Sequence, residues 1–214
     1  CSSLVSKKIA EHFSMPGALD PFPGVDGVVP LTHKSGCSVS AGSTSLDMLR
    51  RTIGGYMRHP NFAGILLVGL GCEDNQISAL LKDQHVEPGP MLRTISIQDA
   101  GGTRAAISAG VADVEEMLVE AARAEREPIP ASELVVGLQC GGSDGMSGLT
   151  ANPALGAAVD RLVACGGTAI LAETPEIHGA ENLLLERAVS HEVGERLIAL
   201  IDWWQDYTRR EPQG

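Results

Sequence analysis

Apolar positions in this chain switch repeatedly between short continuous runs and helical spacing. The opening stretch, Leu4 to Phe13, has a helical pattern, and Val25 to Leu31 is a compact Val-rich run read as a first strand. Leu46, Leu49, Ile53 and Met57 then recur at the i, i+3, i+4 intervals that place side chains on one helix face. Phe62 to Leu70 is continuously apolar and predicts a second strand; Gln76 to Lys82 follows as a helix, and Leu92 to Gln98 alternates as a third strand. Gly101-Gly102 opens a long helical stretch marked by Ile107, Val111, Val114 and Leu118. Glu125 to Ala131, with Pro128 and Pro130, reads as a linker inside the domain. Leu134 to Leu138 is a fourth strand. Asn152-Pro153 predicts a helix start, with Asn as cap, Pro in the first turn and Gly166 as the stop. Thr168 to Leu171 is a fifth strand, Thr174-Pro175 opens another helical region, and His191 to Tyr207 forms a last amphipathic helix.

Strands rich in Val, Ile and Leu that alternate with helices imply a parallel sheet covered on both faces. The predicted fold is therefore α/β, an open, doubly wound, mostly parallel and Rossmann-like sheet, in one domain over residues 1–214. The helical opening and the absence of Met at Cys1 lead us to expect a trimmed chain with a strand upstream of Cys1. With 43% hydrophobic but only 3% aromatic residues, the core must be built from Ala, Val, Leu and Ile.

Charge and cysteine usage narrow the function. Lys and Arg number 16 against 27 Asp and Glu, a net charge of −11. This balance argues against nucleic acid, which is gripped by clustered cations, and against an anionic membrane surface. No apolar run approaches the ~20 residues of a membrane helix. Five cysteines are an odd count without the spacing of a disulfide scaffold, so a reducing, cytoplasmic setting is expected.

Ligands of open α/β sheets bind beyond the carboxyl ends of the strands. The five predicted ends all carry small and polar residues. In chain order they supply Thr32, His33, Ser35, Gly36 and Cys37; Gly71, Cys72, Glu73, Asn75 and Gln76; Gln98, Asp99, Gly101, Gly102, Thr103 and Arg104; Gln139, Cys140, Gly141, Gly142, Ser143 and Asp144; and Glu173, Thr174, Pro175 and Glu176. Glycines there serve tight turns or an anion cradle of backbone N–H groups. No GxxxxGK[ST] or GxGxxG motif occurs. Cys37, Cys72 and Cys140 are either small buried apolar groups or thiolates for a soft or borderline metal such as iron or zinc. His33 either holds a turn, accepts a proton or ligates a metal. Glu73 and Glu173 are candidate acids, bases or ligands, or plain carboxylates at helix starts.

Several motifs carry a resemblance. Gly137-Leu-Gln-Cys-Gly-Gly-Ser-Asp144 with Thr150-Ala-Asn-Pro153, Thr32-His33 with Ser35-Gly-Cys37, Gly69-Leu-Gly-Cys-Glu73 with Asn75-Gln76, and Gly166-Gly-Thr168 with Glu173-Thr-Pro-Glu176 resemble the altronate/galactarate dehydratase family, nearest its galactarate branch. The likeness runs along essentially the whole chain. His178 and Met146 stand where the family pattern has aromatics.

The resemblance implies the central part of a longer, three-part hydro-lyase, with further N- and C-terminal domains and activity in the longer polypeptide. It implies a hexarate or hexonate substrate and a divalent metal, with iron(II) expected. Sulfite elimination from sulfolactate is the neighbouring reaction in the same wider family. A non-catalytic sugar-acid-binding or assembly domain is the alternative from another class. Removing a proton beside a carboxylate builds enediolate charge that a metal or N–H cradle must stabilise, while an acid protonates the departing hydroxyl. From position, His33 is assigned the acid/base role, with Glu73 second. Cys72, Cys140 and then Cys37 are the metal ligands. Gly101, Gly102 and Thr103 receive a substrate carboxylate, and Gln139, Ser143 and Asn152, with Thr32 and Ser35 beside His33, bind hydroxyls. Trp203, Trp204 and Tyr207 share the last helix and are read as core packing, with a homo-oligomer contact as the alternative.

Overall fold

The computed structural model describes residues 1–142 and 144–210. The chain forms two compact units, Cys1–Arg126 and Glu127–Gly214. Their boundary lies within the proline-containing segment from Glu125 to Ala131.

The first unit contains α1 (Ser2–Phe13), α2 (Thr44–Met57), β1 (Ile65–Gly69), α3 (Ile77–Asp83), β2 (Leu92–Ser96) and α4 (Thr103–Ala121). Strands β1 and β2 pair in parallel from Ile65↔Leu92 to Gly69↔Ser96, with α3 in the crossover. Helices α1 and α4 pack on each other and on the sheet. Their apolar stripes meet in a core of Val5, Ile9, Phe13, Ile95, Ile97, Ala106, Val114, Met117 and Leu118. Gly110 permits the close approach of α4 to α1, since a methyl group there would overlap Ile9 and press on Leu66. Helix α2 starts where the Ser43 hydroxyl accepts the Leu46 N–H at 3.2 Å, satisfying one of the donors a helix start leaves free.

The second unit contains β3 (Val135–Leu138), α5 (Ala151–Ala164), β4 (Thr168–Leu171), α6 (Thr174–Ile177), α7 (Glu181–Leu185) and α8 (His191–Arg210). Strands β3 and β4 are parallel, in register from Val135↔Thr168 to Leu138↔Leu171. Helix α5 begins at Ala151 with Thr150 as its flanking residue, so Asn152 lies inside the first turn instead of capping it. Pro153 sits in that turn without cost because no intrahelical acceptor exists for its missing N–H. Helix α8 packs against α6 and α7. Val135, Val136, Ile170 and Leu171 of the strands stay exposed within the chain.

The α/β class and the parallel pairing agree with the sequence reading, but a doubly wound Rossmann-like sheet is not confirmed. The strands form two separate pairs, β1–β2 and β3–β4. The strand expected over Val25 to Leu31 is irregular backbone. Gly24 and Gly27 weaken an extended ladder there and Pro30 has no N–H to give it. Val25 and Val28 instead pack against the first unit's core as single side chains. No helix among the described residues is long and apolar enough to cross a membrane.

Candidate functional site

In the first unit, parallel pairing places the loops after β1 and β2 side by side. Gly71 takes φ 113°, and a side chain there would strike Gln98 and Ser96. Glu73 folds back over its own turn, its two carboxylate oxygens accepting the N–H groups of Leu70 at 2.9 Å and Gly71 at 2.5 Å. The Gln76 side-chain amide donates to the carbonyls of Gly71 and Glu73. Arg50 Nε donates to Asn75 Oδ1 at 2.9 Å, tying α2 to the same loop. The Asp74 N–H donates to the Cys37 carbonyl at 3.0 Å, which brings the His33–Cys37 turn to this edge.

Within that turn the His33 Nδ1 accepts the Ser35 N–H at 3.3 Å. A neutral ring so held carries its hydrogen on Nε2, the free and exposed nitrogen. Thr32, Ser35, Cys37 and Cys72 are also exposed. Among the described residues, Cys37 and Cys72 join no group of potential metal ligands.

Gly101 and Gly102 adopt φ 88° and 115°, conformations glycine accepts without strain. Their N–H groups are taken by the carbonyls of Gln98 and Ile97. The donors open to an anion are therefore those of the first turn of α4, beginning at Thr103, which no side chain caps. A cavity of about 830 Å³ lies at the opposite ends of β1 and β2, lined by Met57, Phe62, Met91 and Leu92 among others. It contains none of the strand-end residues. Beside it, the guanidinium of Arg93 is bonded to Asp113 at 2.8 Å and Glu116 at 2.7 Å, and these bonds raise its pKa.

In the second unit the strand ends bring together a tighter group. Ligand atoms of Cys140, Glu173 and Glu176 lie within 4.8 Å of one another. The Cys140 N–H donates to Glu173 Oε2 at 2.7 Å, across the same 33-residue offset that separates the paired strands. Cys140 follows β3 by two residues and Glu173 follows β4 by two, so this side-chain contact falls at the ladder's offset just past the last pair. Glu173 holds φ 65° and ψ 80°, the left-handed region in a residue with a side chain. Glu176 lies on the one-turn helix α6 that starts directly after it.

One sulfur and two carboxylates are a donor set of mixed softness. It fits a borderline divalent ion such as iron(II) or zinc better than magnesium or calcium, which prefer oxygen alone. Three protein donors also leave room for a further ligand, as catalytic metal sites require. Gln139 and Asn152 are exposed, and the Asn152 N–H is held by the Ser147 carbonyl at 2.9 Å. Ser143 lies outside the described residues.

The sequence reading had assigned Cys140 to a metal and set Glu173 among the strand-end acids, but it joined Cys140 to other thiols. The equal two-residue spacing beyond β3 and β4 was the available signal. Using it required knowing that these two strands are neighbours.

Paired parallel strands with polar and ionisable side chains gathered at their carboxyl ends place the chain in the α/β class, in which that edge is the usual ligand-binding position. Comparison with known proteins makes this specific. Residues 1–122 match the family model described as D-galactarate dehydratase/altronate hydrolase, second domain, and residues 131–214 match D-galactarate/altronate dehydratase, C-terminal. The chain belongs to the D-galactarate/altronate dehydratase family. It is 37% identical over 217 residues to altronate dehydratase of Bacillus subtilis (strain 168), covering 100% of this chain and 41% of that protein. It is 42% identical over 163 residues to galactarate dehydratase (L-threo-forming) of Escherichia coli (strain K12), covering 73% of this chain and 31% of the relative. A (2R)-sulfolactate sulfo-lyase subunit beta of Chromohalobacter salexigens is 31% identical over 178 residues, 83% of this chain and 44% of that subunit. The chain thus spans less than half the length of these relatives.

Proposed function

We propose that this chain is part of a hydro-lyase that dehydrates a hexarate or hexonate to a 2-keto-3-deoxy acid. The observation that carries the reading is the 37% identity to an altronate dehydratase across the whole of this chain. In the reaction a base removes the proton on the carbon beside a carboxylate. The neighbouring carbon loses its hydroxyl, which leaves as water after gaining a proton. The resulting enol becomes the 2-keto acid.

The substrate carboxylate is received by the first-turn N–H groups of α4 at Thr103. These donors meet negative charge without rearranging. His33, with Nδ1 accepting from Ser35 and hydrogen on Nε2, suits the donor side of the reaction, protonating the departing hydroxyl. Its use as a base at Nε2 needs the ring released from Ser35. Glu73 ranks behind it, because both of its oxygens already hold backbone N–H groups. Within the second unit, taken by itself, Cys140, Glu173 and Glu176 would hold a divalent metal, with iron(II) the first choice, and such a metal would supply Lewis-acid chemistry. Cys37 and Cys72 belong to the first unit and are not members of this group.

The test is an anaerobic assay of the intact protein loaded with iron(II). Formation of 2-keto-3-deoxy acid from galactarate, glucarate and altronate is followed beside sulfite release from sulfolactate. Dehydration of one sugar acid is expected. Sulfite release alone, or bound iron with no turnover of any of these acids, overturns the proposal.

A further inference from the structure

The two carboxylates of the Cys140 cluster stand on a segment that cannot hold itself. Helix α6 is a single turn of four residues, Thr174–Ile177, too short to be stable alone. Glu173, at its start, sits in the left-handed region at φ 65°, a conformation that persists in a non-glycine residue only where its surroundings enforce it. The other end of the turn is tied to the helices that follow.

His178 follows α6 directly. Its ring centroid lies 5.2 Å from that of Trp204 on α8, with the planes tilted by 56°. Its Nδ1 is 3.2 Å from Glu181 Oε1, at the start of α7. That same oxygen accepts the Gly179 N–H at 2.9 Å. The Glu181 carboxyl is held below its ordinary pKa, first by the Gly179 N–H, then by its own backbone N–H and by His178. The His178 N–H donates to the Pro175 carbonyl at 3.3 Å. One side chain therefore fastens the end of α6 to both following helices. His178 is outside the ligand group of Cys140, Glu173 and Glu176, so its action on that group passes through α6.

We infer that His178 is a positioning residue for the metal ligands: by packing on Trp204 and bonding Glu181 it fixes α6, and so fixes Glu173 and Glu176 opposite Cys140. This rests on the proposed reading of that cluster as a metal site. The geometry separates this role from simple stabilisation. The loss of His178 frees the turn that carries two donors, while β3, β4 and Cys140 keep their register.

The test uses cobalt(II) titration of the reduced, intact protein, read by thiolate-to-cobalt absorption. Wild type, Cys140→Ser, His178→Ala and His178→Phe are compared. Wild type is expected to show the absorption and Cys140→Ser to lack it. His178→Ala is expected to bind cobalt about tenfold more weakly, with a changed absorption envelope. His178→Phe keeps a ring against Trp204 and is expected to recover most of the affinity. Absence of thiolate absorption in wild type overturns the metal-site reading itself. Absorption present in wild type and unchanged in affinity and shape in His178→Ala overturns the positioning role alone, as does a Phe variant no better than Ala. Should His178→Ala fail to fold by circular dichroism, Trp204→Leu removes the same ring contact from the α8 side and decides by the same readout.

Discussion

Glu173 shows how much a single residue can be asked to do. Its backbone is left-handed, its carboxylate accepts the Cys140 N–H, and it begins the turn that carries Glu176. A Cβ in that region costs roughly 1–2 kcal/mol. Glu173→Gly and Glu173→Ala both lose the carboxylate, but only Gly relieves the backbone. We expect the Gly variant to be the more stable of the two by about 1 kcal/mol in chemical denaturation, the reverse of the usual order within a helix. Equal stabilities would show that the conformation carries no strain. The identities of Cys140, Glu173 and Glu176 were all legible at predicted strand ends. Their association was not, because it depends on which strands neighbour each other, and one sequence does not state that. The fate of Glu73 was hidden for a different reason: a carboxylate that bonds the N–H groups of its own turn looks the same in sequence as one held ready for substrate.

At the level of elements, helical period located the helices, although α5 buries no residue and only some of the others bury a full apolar face. The stripe Ile107, Val111, Val114 and Leu118 became the inward face of α4, with Val114 and Leu118 buried in the core. Val25 to Leu31 misled because a Val-rich run is also what an irregular segment needs to anchor itself on a core. Val25 and Val28, three residues apart, follow no strand alternation. The packing of α1 against α4 depends on Gly110, where the sequence shows only a glycine inside a helix. Gly110→Val forces branched methyl groups against Ile9 and Leu66. Helix propensity offsets little of that overpacking, so a loss of about 1–3 kcal/mol is expected. A thermal melt of the variant is the check; an unchanged melting temperature would mean that α1 can move aside freely.

Over the whole molecule, the division after Arg126 is the feature most accessible to a simple experiment. Arg123 and Arg126 are exposed, with side chains 70% and 80% accessible, and both precede Pro128 and Pro130. Brief trypsin treatment is expected to cut at these arginines first and leave two fragments that meet near residue 126. Early cleavage elsewhere, with no accumulation of those fragments, would show that the junction is protected. Both units run strand, helix, parallel strand, and in both the candidate residues lie just past the paired ends. In the second unit, the Cys140–Glu173 contact falls at the ladder offset, whatever the length of chain between them. Cys140 would still face Glu173 if α5 or its flanking loops gained or lost residues, since the crossover closes wherever the ladder dictates. A single residue inserted between Leu138 and Cys140 would turn the thiol away from its partners. The length of the crossover is therefore free of this constraint, which falls instead on the two short steps that follow β3 and β4.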